Sequence, residues 1–254
     1  MTKLIILGSS NAIPDNEHEN THLALFQEDE NRLVMVDCAT NPILRLQQAG
    51  LDFETLTDLI LTHFHPDHVS GVPLLLMNMW LLGRKRPLNV YGLAYTLDRI
   101  EKLMTFYEWE TWPNFYPVNF HRVQNAEMAP VLNDGDFRIY ASPVCHLIPT
   151  IGLRFEFPQN GKVLAYSSDT EPCPEVVKLA AGANLLIHES AGATPGHSSA
   201  SQAGEIAQSA QAEAMYLIHY PTRNSDPRKL VAEAQKTFSG RVQLAEDFME
   251  INLG

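Results

Sequence analysis

The chain has 254 residues, of which 45% are hydrophobic and 19% are charged, a composition typical of globular proteins. The formal charge of −12 argues against a broad nucleic-acid-binding face, because such a surface repels polyanions at long range. The three cysteines form no CxxC pair and indicate reduced thiols. No apolar run is long enough for a signal peptide or a bilayer span, so we expect a cytoplasmic protein without membrane contact.

The first half of the chain alternates short apolar segments with polar turns. This pattern predicts strands at 3–8, 22–28, 32–38, 56–63, 88–92 and 117–123. It also predicts helices at 41–50, 69–83 and 94–109. The first two of these helices end at Gly50 and Gly83, because glycine commonly terminates a helix.

The second half predicts strands at 137–144, 150–157, 162–169, 184–190 and 214–220. Helices are expected at about 174–181, 199–211 and 227–237, followed by a last apolar segment at 241–253. Strands lead in each half and helices follow. We therefore expect an α/β fold in which two sheets pack face to face with helices outside, in a single domain over residues 1–254.

A dense cluster of metal-binding side chains follows the strand at 56–63, in the stretch LILTHFHPDHVSG at 59–71. Imidazole nitrogens and carboxylate oxygens suit zinc and similar divalent ions. His63 and His65 are two residues apart on an extended segment and point the same way, so both can bind one ion. Asp67 and His68 follow at a helix start and can face a second ion.

Three more candidate ligands come at or just after the ends of predicted strands. They are His146 in ASPVCHLIP, Asp169 in LAYSSDT and His219 in AMYLIHY. Polar groups at the ends of apolar strands indicate a site at one edge of the sheets. Taken singly each is commonly structural, but together with the cluster they predict a site for two metal ions.

The order of these motifs resembles the metallo-β-lactamase superfamily, and the resemblance covers nearly the whole chain. Within the superfamily the chain is most similar to the ribonuclease Z-like branch. The segments that carry this likeness are LGSSNAIP, YSSDTEPCPEVVKLAAGANLLIHESA and HSSASQAGEIAQSAQAEAMYLIHY. The resemblance implies an αββα sandwich with two mixed sheets and two divalent ions at its edge, zinc first, with manganese or iron as alternatives.

By position, the resemblance assigns the ligands to two ions. One ion would be held by His63, His65 and His146, and the other by Asp67, His68 and His219. Asp169 would bridge both ions. A pair of ions about 3.5–4 Å apart can stabilise both the attacking and the leaving oxygen, and lowers the pKa of a shared water toward about 7. Asp67 could also orient the resulting hydroxide.

Two further residues fit catalysis better than metal binding. The resemblance implies that His197 donates a proton to the leaving oxygen and that Glu189 holds this histidine in place, which is general acid catalysis. A helix-start role is the alternative for His197. We interpret His188 as structural, because it alternates with Glu189 along a strand, and Asp37 as a partner of a metal-binding histidine.

One part of the family pattern is missing. Ribonuclease Z commonly carries a basic arm that binds transfer RNA, inserted between the positions of His146 and Asp169. Only 22 residues separate them here, enough for two strands and a turn. The missing arm and the charge of −12 argue against transfer RNA as the substrate and leave the phosphodiester chemistry intact.

The function that we expect is a dinuclear zinc phosphodiesterase acting on a small or nucleotide-type diester, with metal-bound hydroxide as the nucleophile. The alternatives are an acyl hydrolase of the same fold, such as a lactonase, thioesterase or β-lactamase, and an aryl sulfatase. The Glu189 and His197 pair argues against the acyl hydrolases, which do not need this acid. A non-catalytic metal-binding regulatory module is a further alternative. A homodimer is common for this fold.

Overall fold

The computed structural model describes residues 2–133, 135, 137–223 and 225–253. The first half of the chain and its last strand form a seven-stranded sheet with the order β14-β1-β2-β3-β4-β5-β6. Its strands are β1 (Thr2–Gly8), β2 (His22–Gln27), β3 (Arg32–Val36), β4 (Leu56–Ile60), β5 (Leu88–Leu93), β6 (Val118–Val123) and β14 (Glu250–Asn252). Pairs from β14 to β3 are antiparallel, and pairs from β3 to β6 are parallel.

The second half forms another seven-stranded sheet with the order β13-β12-β11-β10-β9-β8-β7. Its strands are β7 (Ala129–Asn133), β8 (Arg138–Val144), β9 (Thr150–Phe157), β10 (Lys162–Tyr166), β11 (Leu185–Glu189), β12 (Ala214–Ile218) and β13 (Arg241–Leu244). Pairs from β7 to β10 are antiparallel, and pairs from β10 to β13 are parallel. Both sheets are therefore mixed.

Helices cover the outer faces of the two sheets. They are α1 (Pro42–Gln48), α2 (Pro66–Val69), α3 (Val72–Leu81), α4 (Ala94–Thr105), α5 (Pro174–Leu179), α6 (Ala200–Ser209) and α7 (Arg228–Ala234). None of the helices in the described part of the chain is long and apolar enough to cross a membrane.

The layers follow from the alternation of side chains along the strands. In β1, Leu4 and Ile6 join the core between the sheets, whereas Ile5 and Leu7 join the core under α1, α3 and α4. A third core lies between the second sheet and α5, α6 and α7. The predicted αββα arrangement is confirmed. The single domain over residues 1–254 stays a prediction, which the pairing of β14 with β1 supports.

The predicted elements are present, with three differences. The helix predicted at 69–83 corresponds to α3, and α2 precedes it as a separate short helix. Sequence patterns did not predict β7, a short edge strand whose register shifts between Pro130 and Leu132. Proline lacks the N–H that an inner strand needs, so it weakens the sequence signal and suits an edge. The segment at 241–253 is not one element. It divides into β13 and β14, which belong to different sheets.

A close backbone approach fixes the cluster at 63–68. The N–H of Gly71 donates to the carbonyl of Cys38 at 2.9 Å, and the N–H of Cys38 donates to the carbonyl of His68 at 2.7 Å. A Cβ atom on Gly71 would lie 1.7 Å from the carbonyl oxygen of Ala39. Only glycine permits this contact, which holds α2 against the segment after β3.

The substitution Gly71→Ala should lower the free energy of unfolding by about 1–3 kcal/mol, because the new methyl group must push the two segments apart. Urea denaturation of chelator-treated protein measures this change. The neighbouring substitution Ser70→Ala alters an exposed side chain and should change stability by less than about 0.5 kcal/mol. Equal midpoints for the two variants would contradict the role of this contact.

Candidate metal centre

The seven predicted ligands lie at one edge of the two sheets, just beyond the C-terminal ends of strands. Strands β8 and β10 both run antiparallel to β9, and β10, β11 and β12 are parallel, so these ends meet at the same edge. The ligands after β4 are His63, His65, Asp67 and His68; the others are His146 after β8, Asp169 after β10 and His219 after β12.

The first group of donor atoms joins His63, His65, His146 and Asp169, one from each residue, all within 4.8 Å of one another. The Nδ1 atom of His65 lies 3.1 Å from the Nε2 atom of His63 and 3.1 Å from the Nε2 atom of His146. The Oδ2 atom of Asp169 lies 3.8 Å from the Nε2 atom of His63. Three imidazole nitrogens and one carboxylate oxygen therefore converge.

The second group joins Asp67, His68, His219 and the same Asp169. The Oδ2 atom of Asp169 lies 3.3 Å from the Nε2 atom of His219 and 3.5 Å from the Nε2 atom of His68. The Oδ2 atom of Asp67 lies 3.4 Å from the Nε2 atom of His68 and 4.0 Å from the Nε2 atom of His219. Asp169 thus belongs to both groups.

These separations match those of ligands around a metal ion. Zinc bonds of about 2.0–2.1 Å in tetrahedral geometry place ligand atoms about 3.4 Å apart. Two buried atoms, Asp169 Oδ1 and His68 Nε2, make no hydrogen bond within the described part of the chain. An unpartnered buried polar group costs about 1–3 kcal/mol, which a bound cation would offset. The donor set therefore fits divalent metal ions.

In four of the histidines, the Nδ1 atom points away from the centre and contacts a polar group of the protein. His63 Nδ1 contacts Thr62 Oγ1 at 3.0 Å, and His219 Nδ1 contacts Thr21 Oγ1 at 3.1 Å. His146 Nδ1 donates to the carbonyl of Gly196 at 2.7 Å, and His68 Nδ1 donates to Asp37 at 2.8 Å. Partners of this kind fix the orientation of metal-binding histidines.

The side chain of Asp37 accepts hydrogen bonds from two residues of the segment that carries the first four ligands. Its carboxylate is fully buried and accepts from the backbone N–H of Thr62 at 2.8 Å as well as from His68. The hydroxyl of Thr62 also contacts both carboxylate oxygens. One carboxylate therefore positions residues at both ends of the motif, which is the partner role predicted for Asp37.

The electrostatics favour neutral imidazoles at His63 and His219, a charged carboxylate at Asp169 and a protonated imidazole at His68. Burial lowers the pKa of His219 to about 4 and lowers the pKa of His63 well below its usual value. Burial opposes ionisation of Asp169, but His219 and His68 hold the pKa of its carboxyl well below the usual value. Burial also disfavours the charged form of His68, yet Asp169 and Asp37 raise its pKa well above normal.

His197 and Glu189 form a pair beside both groups of donors. The Nδ1 atom of His197 donates to Oε1 of Glu189 at 3.1 Å, and this contact raises the pKa of the imidazole. The ring centroid of His197 lies 5.1 Å from that of His146 and 5.8 Å from that of His219. His197 therefore stands next to a ligand from each group.

The buried Glu189 carboxylate is itself fixed by backbone donors. It accepts from the N–H groups of Thr170 at 3.1 Å, Ser198 at 3.0 Å and Ala191 at 2.8 Å. His188, predicted to be structural, is also buried and donates from Nδ1 to the carbonyl of Glu189 at 2.8 Å. The helix-start position, two residues after His197, belongs to Ser199, whose side chain caps α6.

Sequence reasoning missed several residues around the centre. Thr21, Thr62 and the carbonyl of Gly196 hold histidines that the sequence did predict. Only Thr62 is next to its histidine in the chain, so only that contact had a local signal. Cys145 belongs to neither group of donors and lies in a separate cluster with Cys173 and Glu175.

Comparison with known proteins places this geometry in a family. The chain belongs to the β-lactamase superfamily, since the "Beta-lactamase superfamily domain" matches residues 32–220, a range that contains all seven predicted ligands. Within that class it is similar to ribonuclease Z of Methanothermobacter thermautotrophicus. The two are 26% identical over 309 aligned positions, which cover 100% of this chain and 97% of the relative. The resemblance predicted from the motifs is confirmed.

Solved structures show the same fold. The metallo-β-lactamase fold protein YhfI from Bacillus subtilis superimposes with a TM-score of 0.83 and 23% identity, over 98% of each chain. The short form of human tRNase Z gives a TM-score of 0.79 and 23% identity, over 99% of each chain. These likenesses confirm the predicted sandwich.

The substitution Asp37→Asn should weaken metal binding about 10–100-fold, because the amide no longer fixes and polarises His68. Competition with a chromogenic chelator measures the affinity. The matched control is Asp58→Asn, which removes another buried carboxylate, paired with Arg32 at 2.8 Å. This control should lower stability and leave metal affinity unchanged. A similar loss of metal affinity in both variants would contradict a specific role for Asp37.

Proposed function

We propose that this protein is a metal-dependent phosphodiesterase with a dinuclear centre. The observation that carries the proposal is that two four-donor groups share Asp169, with His197 beside both. Two ions spaced for one shared carboxylate suit in-line displacement at phosphorus. The similarity to ribonuclease Z over the full chain supports the same reaction class.

Zinc is the metal that we assign to the centre, because nitrogen-rich donor sets at these separations suit it. Manganese and iron are the alternatives. The ions would supply a nucleophile at neutral pH and would stabilise charge on the phosphoryl oxygens. His63, His65 and His146 would hold one ion, Asp67, His68 and His219 the other, and Asp169 both.

The remaining chemistry belongs to side chains of the protein. Asp67 is half-buried, and one carboxylate oxygen beyond its ligand atom can accept a hydrogen bond from the attacking water. His197 donates from Nδ1 to Glu189, so its Nε2–H is available to the leaving oxygen. The contact with Glu189 raises the pKa of His197 and so favours the protonated form that a general acid needs.

The substrate that we propose is a small or nucleotide-type diester. The chain between His146 and Asp169 is the simple hairpin of β9 and β10. The alignment with ribonuclease Z spans 309 positions against 254 residues here, so at least 55 aligned positions have no counterpart in this chain. The shorter chain and its net charge of −12 argue against binding of a long polyanion.

A substrate panel tests the reaction class. Metal-replete protein should hydrolyse an aryl phosphodiester, lose this activity on chelation and regain it with zinc, because the centre supplies the nucleophile. The same protein should turn over a lactone, a thioester, a cephalosporin and an aryl sulfate far more slowly. A zinc titration should show that two ions per chain bind with the highest affinity. Turnover of only the lactone or thioester would contradict the proposal.

The substitution His197→Ala should reduce turnover of the diester by about 10²–10⁴-fold while the metal content stays at the wild-type level. Its control is His121→Ala, which removes an exposed histidine hydrogen-bonded to Asn89 and should leave turnover unchanged. Equal turnover in wild type and His197→Ala would remove the assigned role.

The pH dependence of turnover gives a second test of this pair. A general acid works while protonated, so the rate should fall as pH rises through the raised pKa of His197. In Glu189→Gln the carboxylate that raises this pKa is absent, and the decline should begin at lower pH. The full pH–rate profile of both proteins measures the shift. An unchanged alkaline limb would contradict the pairing.

A further inference from the structure

A second set of metal-binding side chains lies outside the dinuclear centre. One potential ligand atom from each of Cys145, Cys173 and Glu175 lies within 4.8 Å of the other two. Two thiol sulfurs and a carboxylate oxygen suit a thiophilic divalent ion. We propose that these three residues form a third, separate metal site, which binds Zn²⁺ or the softer Cd²⁺.

The fold brings the three donors together from two segments. Cys145 follows β8 directly, and backbone hydrogen bonds hold it against the loop after Asp169. Its N–H donates to Thr170 Oγ1 at 3.2 Å, and its carbonyl accepts from the N–H of Glu171 at 2.7 Å. Cys173 directly precedes α5, and Glu175 lies in the first turn of that helix. The cluster is therefore fixed by the backbone before any ion binds.

The cluster is distinct from the dinuclear centre although Cys145 and His146 are neighbours in the chain. Successive side chains of an extended segment point to opposite sides. His146 directs Nε2 toward His65, whereas the thiol of Cys145 meets Cys173 and Glu175. None of the three donors belongs to either of the two groups that share Asp169.

Spacing and access suit an ion at this position. Zinc–sulfur bonds of about 2.3 Å and zinc–oxygen bonds of about 2.0–2.2 Å place tetrahedral ligands about 3.4–3.8 Å apart, within the observed limit. Cys173 is buried, whereas Cys145 is exposed. An ion can therefore enter from the side of Cys145, where a water completes the coordination. Binding forms two metal–sulfur bonds and releases both thiol protons to solvent.

The local charge favours a cation. Glu175 contributes one carboxylate to the cluster, and the N–H of Glu171 donates to the carbonyl of Cys145, so a second acidic residue lies on the adjoining segment. The nearby ammonium of Lys178 pairs with Glu127 at 2.8 Å, and its side chain is exposed to solvent, which screens its repulsion. One divalent ion offsets two of the three negative charges that two thiolates and a carboxylate would carry together.

The test is a cadmium titration of protein whose dinuclear centre is already loaded with zinc. Thiolate-to-cadmium charge-transfer absorption and metal analysis report binding, so the result does not depend on catalysis. Wild type should gain the absorption band and bind one more ion per chain than Cys145→Ser. Glu175→Gln should keep the band and bind cadmium at least tenfold more weakly.

The matched control is Cys38→Ala, which removes a buried thiol outside the cluster and should leave the band and the ion count at the wild-type level. Cys145→Ser changes an exposed side chain, and circular dichroism checks that it folds. Equal bands and ion counts in wild type and Cys145→Ser would overturn the proposal.

Discussion

One buried carboxylate, that of Asp169, organises the edge of the sandwich where the two sheets meet. A charged group of this kind is costly inside a protein unless opposite charge or hydrogen bonds compensate it. Its Oδ2 atom lies within 3.3–3.8 Å of the Nε2 atoms of His219, His68 and His63. Positive charge between these atoms would stabilise the arrangement, which is why the donor set fits cations.

Hydrogen bonds from the surrounding protein orient the imidazoles toward that carboxylate. Hydroxyls, a carbonyl and the Asp37 carboxylate hold the outward nitrogens of four histidines. The backbone contributes as well, because Asp37, Ser168 and His219 have left-handed φ angles of 61°, 55° and 55°. Each such residue costs about 1–2 kcal/mol, a strain that commonly accumulates at functional sites. The backbone that orients these side chains therefore lowers the free energy of unfolding.

Much of this edge could be predicted from the sequence, because most of the candidate ligands belong to short, local sequence patterns. His63, His65, Asp67 and His68 fall within six residues, and His146, Asp169 and His219 come just after apolar strands that alternate in a recognisable way. The strand β7 was not predicted because a proline and a register shift interrupt the alternation of apolar and polar residues. The contact between His219 and Thr21 joins residues 198 positions apart, and no local pattern encodes it.

Each group of donors also divides evenly between the halves of the chain. His63 and His65 face His146 and Asp169 in one group, and Asp67 and His68 face Asp169 and His219 in the other. The first residue pair of each group follows a strand of one sheet, and the second follows strands of the other. A chain with only one sheet assembled offers half a coordination shell. An ion bound by either complete group would therefore indicate that both sheets are in place, and a partly folded chain would lack the centre.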